Sequence, residues 1–457
     1  MTRPLIGIVD RLSPVRHASA VRRVARTVVA CVAASLTLAG PAAAETLIVR
    51  AGRLLDVERG LYLDDQAIRI ADGRVLDVSP WAGPPADIST EVIDWSAYTV
   101  LPGLIDLHTH LIGDLFGADP AQPLTSSPAR EVLLGASHAR QTLAAGFTTV
   151  RDVGTYRAFL DVALRDAINA GLVPGPRMFV AGAYITVSQG GGEVTGLPPG
   201  MVVPEDMRRG VANSADAVRQ RVRELLAGGA DFIKIIATGA VLTEGTEPGA
   251  SEYTEAELRA AVEEAAHAGS YVVAHAHGAE GIRNAVRAGV RSIEHGSLLD
   301  DEGIRLMREH GTWLVADVYN GDYIAEVGRR EGWSAAVMRK NEETTAAQRA
   351  GFRKAVLAGV RIGFGTDSGV YPHGENARQF AYMVRHGMSP LEAIRAATIG
   401  AATALGREHE LGSVAAGKYA DMIAVRGDPL ADVEGLRSVA AVVKAGRVVA
   451  VAGQVLQ

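Results

Sequence analysis

Eight short apolar runs, separated mostly by helical patterns, punctuate the chain between residues 104 and 367. They cover 104–108, 148–152, 178–183, 232–236, 271–275, 292–295, 313–317 and 362–367. Stretches such as SADAVRQRVRELLAGGA and EAELRAAVEEAAHAG fill the gaps with apolar residues at helical spacing. Strands that are apolar on both faces and joined by helices belong in a parallel sheet with both faces covered. Eight such units read as a (β/α)8 barrel of TIM type. A doubly wound open sheet is the competing architecture. It is weakened because no Gly-rich dinucleotide loop or P-loop follows the early strands.

The two ends of the chain read differently. From residue 46 to about 99, short β-rich runs alternate with turns, and Asp72-Gly73 is a hairpin signal. The C-terminal runs DMIAVRGDPL and VAAVVKAGRVVAVAGQVL have the same character. The expected organisation is α/β: a barrel at 101–405 with a small β-sandwich domain built from 45–100 and 406–457. Ahead of it, Arg16, Arg22, Arg23 and Arg26 precede a short apolar run and Ala42-Ala43-Ala44. That pattern is a secretory signal over 1–44, cut after Ala44, and its apolar run is too short for a comfortable membrane span. The expected location is therefore exported, in a bacterial periplasm. The one cysteine, Cys31, and His17 fall within the signal. The mature chain then has no disulfide, no thiol nucleophile and no thiolate ligand. With 46 basic and 52 acidic residues the net charge is −6, which gives no footprint for nucleic acid or an anionic membrane.

A barrel carries its chemistry at the C-terminal ends of its strands. Strand one ends in His108-Thr109-His110, whose imidazoles at i and i+2 share a face. Strand four, DFIKIIATG, carries Lys234 among apolar neighbours; strand five supplies His275 and His277, strand six His295, and strand eight Asp367. Taken singly these have ordinary explanations: solvated imidazoles, an edge lysine, a satisfied core histidine, a turn aspartate. Such explanations repeated at separate strand ends of one rim are improbable together. Imidazole and carboxylate donors at one place point to a divalent metal site. The long Gly/Pro-rich connection 187–211 follows strand three and is expected to lie over the same face.

This set, with the phrases LPGLIDLHTH, AGFTTVRDVG, EHGSLLD and LEAIRAATIGAATALG…GSVAAGKYADMIAV, resembles the amidohydrolase superfamily of binuclear type. ATGAVL, VVAHAHG and GTDSGVYPHGEN are most similar to its imidazolonepropionase-related branch. That branch includes Xaa-Pro dipeptidases, acyl-amino-acid carboxypeptidases and ochratoxin-hydrolysing enzymes. The resemblance implies two divalent cations, foremost Zn2+, with Mn2+ and Co2+ open to the same donors. His108, His110 and Asp367 would hold the more buried ion, His275 and His295 the second, and a CO2-carboxylated Lys234 both. His277 would face substrate. Where several branch members have Gly-Gly-His in the loop after strand three, this chain has Gly191-Gly192-Glu193.

The implied reaction is hydrolysis of an amide bond by a hydroxide bridging the metals. Asp367 would act as base and then acid, and His277 would assist at the carbonyl. The expected substrate is a small peptide or N-acyl amino acid, Xaa-Pro and ochratoxin-type amides included. Arg151, Tyr319 and His373 are candidate partners for its carboxylate; Val241 and Leu242 are candidates for an apolar pocket. Two alternatives are a cyclic-amide hydrolase, akin to imidazolonepropionase or hydantoinase, and a catalytically dead exported binding protein. The second would have lost ligands, and none of the six is missing. Ser/His/Asp chemistry lacks its G-x-S-x-G elbow. His138, His267, His310, His386 and His409 fall on helical patterns and read as surface or interhelical residues. The resemblance also implies a homo-oligomer, an octamer among the forms it allows.

Overall fold

The computed structural model describes residues 47–88, 90–113 and 121–456; the expected signal, with His17 and Cys31, lies outside them. The chain opens with β1 (Leu47–Asp56), β2 (Leu61–Ala71), β3 (Arg74–Pro80) and β4 (Glu91–Pro102). β2 and β3 turn on Asp72-Gly73, whose φ angles of 50° and 73° are both positive. This is the type I′ geometry that matches the twist of a hairpin, and glycine adopts it without a Cβ penalty. β4 then runs through Gly103 directly into β5 (Leu104–Thr109), a strand buried at every residue.

The central part contributes β6 (Phe147–Asp152), β7 (Arg177–Val180), β8 (Tyr184–Ile185), β9 (Ile233–Ile236), β10 (Val272–Ala276), β11 (Ser292–His295), β12 (Trp313–Ala316) and β13 (Arg361–Phe364). All eight anticipated strands are present, although the third stops at Val180 and the eighth at Phe364. β8 is an additional short strand that the apolar run 178–183 does not announce. The chain returns to its first sheet with β14 (Met422–Val425), β15 (Val439–Lys444), β16 (Arg447–Val451) and β17 (Gln454–Val455).

Both ends therefore share one eight-stranded ladder, ordered β17-β16-β15-β14-β4-β1-β2-β3. It curls until Arg74 bridges Tyr419, and it encloses a core of its own that includes Val49, Ile68, Trp95, Val100, Met422 and Val443. The central strands pair in parallel as β5-β6-β7 and as β13-β12-β11-β10-β9-β8. The ladders do not join into one ring among the described residues. Thr109, the last residue of β5, forms a bridge with Ser368, beyond β13, and β7 leads into β8 without pairing to it.

Local chemistry accounts for the intervening helices. Ser214 caps helix Ala215–Ala227 by accepting from the Ala217 N–H. Thr254 and Glu257 form a capping box that starts helix Glu255–His267. With all central ladders parallel, the C-terminal strand ends point one way and present their terminal side chains to a common space.

Candidate metal centre and active site

His108 and His110 leave the end of β5, Lys234 sits within β9, His275 within β10 and His277 just after it. His295 closes β11, and Asp367 lies shortly beyond β13. The structure brings all seven together. His108 Nε2 and His110 Nε2 lie 3.4 and 3.2 Å from Asp367 Oδ1. Ring centroids are 4.8 Å apart for His108 and His295, and 4.5 Å for His275 and His295. Donor atoms of His108, His295 and Asp367 all lie within 4.8 Å of one another, as do those of His275, His277 and His295. His295 and Asp367 have φ of 68° and 58°, a left-handed conformation that costs a non-glycine residue energy and gathers at functional sites.

Every imidazole has one nitrogen fixed from behind. His108 Nδ1 is 2.8 Å from Glu294 Oε2, and His110 Nδ1 is 3.0 Å from the Gly154 carbonyl. His295 Nδ1 meets Asp317 Oδ1 at 3.0 Å, His277 Nδ1 meets Ser297 Oγ at 2.7 Å, and His275 Nε2 meets the Gly239 carbonyl at 3.3 Å. The other nitrogens of His108 and His110 face Asp367. A partner behind a ligating histidine sets ring orientation and basicity, so this is the arrangement a metal site needs. Lys234 differs: its Nζ is buried and has no hydrogen-bond partner. Glu294 and Asp367 act on it through their charge, but a buried ammonium without a hydrogen bond is costly, so the atom is poised for a partner the protein does not itself supply.

Electrostatics follow from burial and neighbours. Burial lowers the Lys234 ammonium to about 8 and holds His275 and His277 well below the usual imidazole value. Burial alone would raise the Asp367 carboxyl, but the bonds and charges of His108 and His110 outweigh it and hold the group well below its ordinary value. Glu294 is likewise held low against burial, chiefly by Arg151 and then by His108. The cluster opens into a cavity of about 220 Å³ whose walls include Tyr156, Tyr184, Gly191–Thr195 and Ala240–Glu244. The connection after strand three thus borders the site, as expected. Glu193 is tied down, with Oε2 accepting from the Gln189 N–H and Oε1 3.1 Å from Arg208.

Residues 99–449 match the amidohydrolase family. The chain belongs to that family. Among relatives of this amidohydrolase, Aspergillus niger ochratoxinase is 32% identical over 427 residues, covering 87% of this chain and 85% of its own length. Imidazolonepropionase from Symbiobacterium thermophilum is 27% identical, covering 90% of this chain and 98% of its own. The crystal structure of a Xaa-Pro dipeptidase with methionine bound in its active site superposes with a TM-score of 0.83. Its identity is 37%, covering 88% of this chain and 99% of that one. The amidohydrolase is accordingly an enzyme, a hydrolase of carbon–nitrogen bonds, in the branch that these relatives mark out.

Three expectations for substrate contacts are corrected. Arg151 does not reach the cavity: in β6 it is fully buried, paired with Glu294 at 2.8 Å and donating to the Leu107 carbonyl. Tyr319 packs edge-on against Tyr371 and Tyr382 and lines no part of the cavity. His373 lies behind the rim, with Nε2 3.1 Å from the His110 carbonyl and its ring stacked on His138. Each was placed near the rim by chain position, but its side chain is consumed by neighbours. Val241 and Leu242 do line the cavity. His138 is a buried interhelical residue bonded to the Leu111 carbonyl; His267, His310 and His409 are exposed and His386 is half-buried.

Sequence reasoning missed Glu294, Asp317 and Ser297, which hold His108, His295 and His277. It also missed Asn320, whose Nδ2 donates to both Asp317 and Asp367 at 3.0 Å. Glu294 carried a signal: a carboxylate inside an apolar strand, immediately before His295. Asp317, at the end of an apolar run, carried a similar one. Nothing in the spacing marked Ser297 or Asn320.

Proposed function

We propose that this amidohydrolase hydrolyses the amide bond of small peptides or N-acyl amino acids at a two-metal centre. The observation that carries the proposal is the convergence of His108, His110, His275, His295, Asp367 and the partnerless Lys234 Nζ on one buried point. The donor set fits the group: four imidazole nitrogens and a carboxylate, all buried, without a thiolate, suit Zn2+ or a similar ion. His108, His110 and Asp367 would hold one ion and His275 and His295 the other. Lys234 would hold both once its amine has added CO2 to become an anionic carbamate. Bound there, divalent cations supply Lewis acidity toward the carbonyl and acidify the attacking water.

The chain's own groups do the rest. Asp367, oriented by the Asn320 amide, takes the water's proton at its carboxylate and delivers it to the leaving nitrogen. His277 has Nδ1 2.7 Å from Ser297 Oγ; in the tautomer with hydrogen on Nε2, Nδ1 accepts from the Ser297 hydroxyl and Nε2 donates to the carbonyl oxygen as negative charge builds there. The loops at Gly191–Thr195 and Ala240–Glu244 wall the substrate off from bulk water. In this reading the two parallel sheets are arcs of one (β/α)8 barrel and the curled terminal sheet is the β-sandwich domain. Export to the periplasm and homo-oligomeric assembly belong to the same reading. Among the described residues no helix is long and apolar enough to cross a membrane.

A second reading, hydrolysis of a cyclic amide, is favoured by one observation: Lys234 is the only lysine or arginine lining the cavity among the described residues. A free carboxylate therefore meets no cationic side chain away from the metal cluster. The deciding experiment assays the metal-loaded protein against Xaa-Pro dipeptides, N-acyl amino acids, ochratoxin A and a hydantoin. Turnover of open-chain acids supports the first reading; turnover confined to rings supports the second. Tight substrate binding with no turnover of any amide would sink both and leave a binding protein.

A further inference from the structure

Lys340 is the second fully buried lysine of the molecule, 1% exposed, and it has no part in the metal cluster. It lies on helix Ala335–Ala358 and its ammonium donates to three backbone carbonyls of the loop after β9: Ala240 at 2.9 Å, Thr243 at 2.6 Å and Thr246 at 3.2 Å. Only a protonated lysine brings three N–H donors to one point. Glu247 and Glu244 act on that buried charge through space, but its hydrogen bonds all go to carbonyls, and three of them converging mark a built clamp rather than incidental packing. The clamped loop carries Val241 and Leu242.

Leu242 packs on a buried apolar cluster that includes Ile324, Trp333, Val337 and Val370, and all five residues line the cavity. This wall begins next to the reacting groups. Ile324 is one helical turn from Asn320, which bonds Asp367, and the Val370 N–H donates to the Asp367 carbonyl at 3.0 Å. Glu244 lines the same cavity, with Oε2 3.3 Å from Ser334 Oγ.

We infer that this apolar wall is a subsite for a bulky uncharged side chain of the amide substrate, aromatic or branched, and that Lys340 is the positioning residue that sets its shape. The inference rests on the amide-hydrolase reading and adds the side-chain class that the reading leaves open. Leu242 lies on the loop after β9; opposite it, Ile324 and Val337 are on helices and Trp333 and Val370 on the segments beside them, so the position of the Leu242 loop bears on the width. The ammonium fastens loop to helix. An acidic side chain is disfavoured, because Glu244 lines the cavity, no arginine does, and the Lys340 ammonium is taken up by the loop carbonyls.

The test compares wild type, Lys340→Met and Val337→Trp on a matched pair of N-acyl amino acids ending in Phe and Ala, with a third ending in Glu. Wild type is expected to prefer Phe over Ala and to be poorest with Glu. Lys340→Met should lower the Phe-over-Ala ratio of kcat/KM about tenfold, mainly through KM, with metal content retained. Lys340→Arg should recover part of that ratio. Amide hydrogen exchange across 240–246 should rise in Lys340→Met, a readout independent of turnover. Val337→Trp, which fills the wall without touching the clamp, should also lower the ratio and keeps the test available if Lys340→Met does not fold. A wild type without preference for Phe, an equal loss on Phe and Ala in Lys340→Met, or loss of metal from that variant would overturn the inference. A wild type that hydrolyses no amide at all would instead overturn the function on which it rests.

Discussion

Two arginine–carboxylate pairs with the same 2.8 Å separation sit in contrasting parts of the molecule. Arg50 and Asp65 face outward from the terminal sheet with side-chain exposures of 29% and 50%. Arg151 and Glu294 lie beneath the clustered histidines of the candidate metal site, both at 0%. The first pair is screened by water and contributes little to stability. The second is sealed off and shared with His108, so removing one partner strands a charge in the interior, a loss of about 3–5 kcal/mol. The terminal sheet is held by apolar burial and tolerates its charges at the surface. The rim concentrates charge where it is least tolerated, which makes sense only if a ligand of opposite need completes it.

The largest effect follows from the rim's least satisfied atom. Lys234→Ala should reduce amide hydrolysis by at least about a thousandfold, a barrier increase of roughly 4 kcal/mol, and lower the metal bound per chain. Lys234→Met should abolish activity while stabilising the metal-free protein by about 1–3 kcal/mol, because a partnerless buried ammonium disappears. Urea unfolding of the two metal-free proteins checks the sign. A destabilised methionine variant would mean that the lysine is satisfied in the free enzyme and that the contrast between sheet and rim is overstated.

Glu294→Gln should come next, with about 10–100-fold lower activity from a misoriented His108 and about 3 kcal/mol lost in unfolding. Ser297→Ala leaves His277 Nδ1 without its hydroxyl partner and should lower kcat up to about tenfold, with little change in KM or stability. Asp65→Asn, on the terminal sheet, should shift stability by less than about 1 kcal/mol and leave both kinetic constants within error. A kinetic effect there as large as that of Ser297→Ala would break the division between the two regions.

The same contrast explains how much was legible in the sequence. His108, His110, Lys234, His275, His277, His295 and Asp367 could be found because each stands within or just beyond an apolar strand, where a polar residue is conspicuous. The hairpin at Asp72-Gly73 was readable because its two residues encode their own φ angles. Arg151 was misread for a physical reason: its destination depends on Glu294, 143 residues away in the chain, and no local pattern carries that information. Tyr319 and His373 were misread in the same way, through Tyr371 in one case and the His110 carbonyl in the other. Ser297 and Asn320 were missed because a serine or asparagine after a strand is ordinary until its partner is known. The ring-like closure expected of eight strands is likewise a property of strand ends meeting across sequence. Here the Thr109–Ser368 bridge, not a continuous ladder, connects the eighth strand's continuation to the first.

The central proposal is that the rim would hold two metal ions, with Lys234 among the residues that hold them. Its most direct test is metal content per chain, measured by plasma mass spectrometry after equilibration with Zn2+ and bicarbonate, for wild type beside Lys234→Ala. The account predicts close to two ions in wild type and clearly fewer in the variant. One ion or none in wild type, or the same two in the variant, would contradict it.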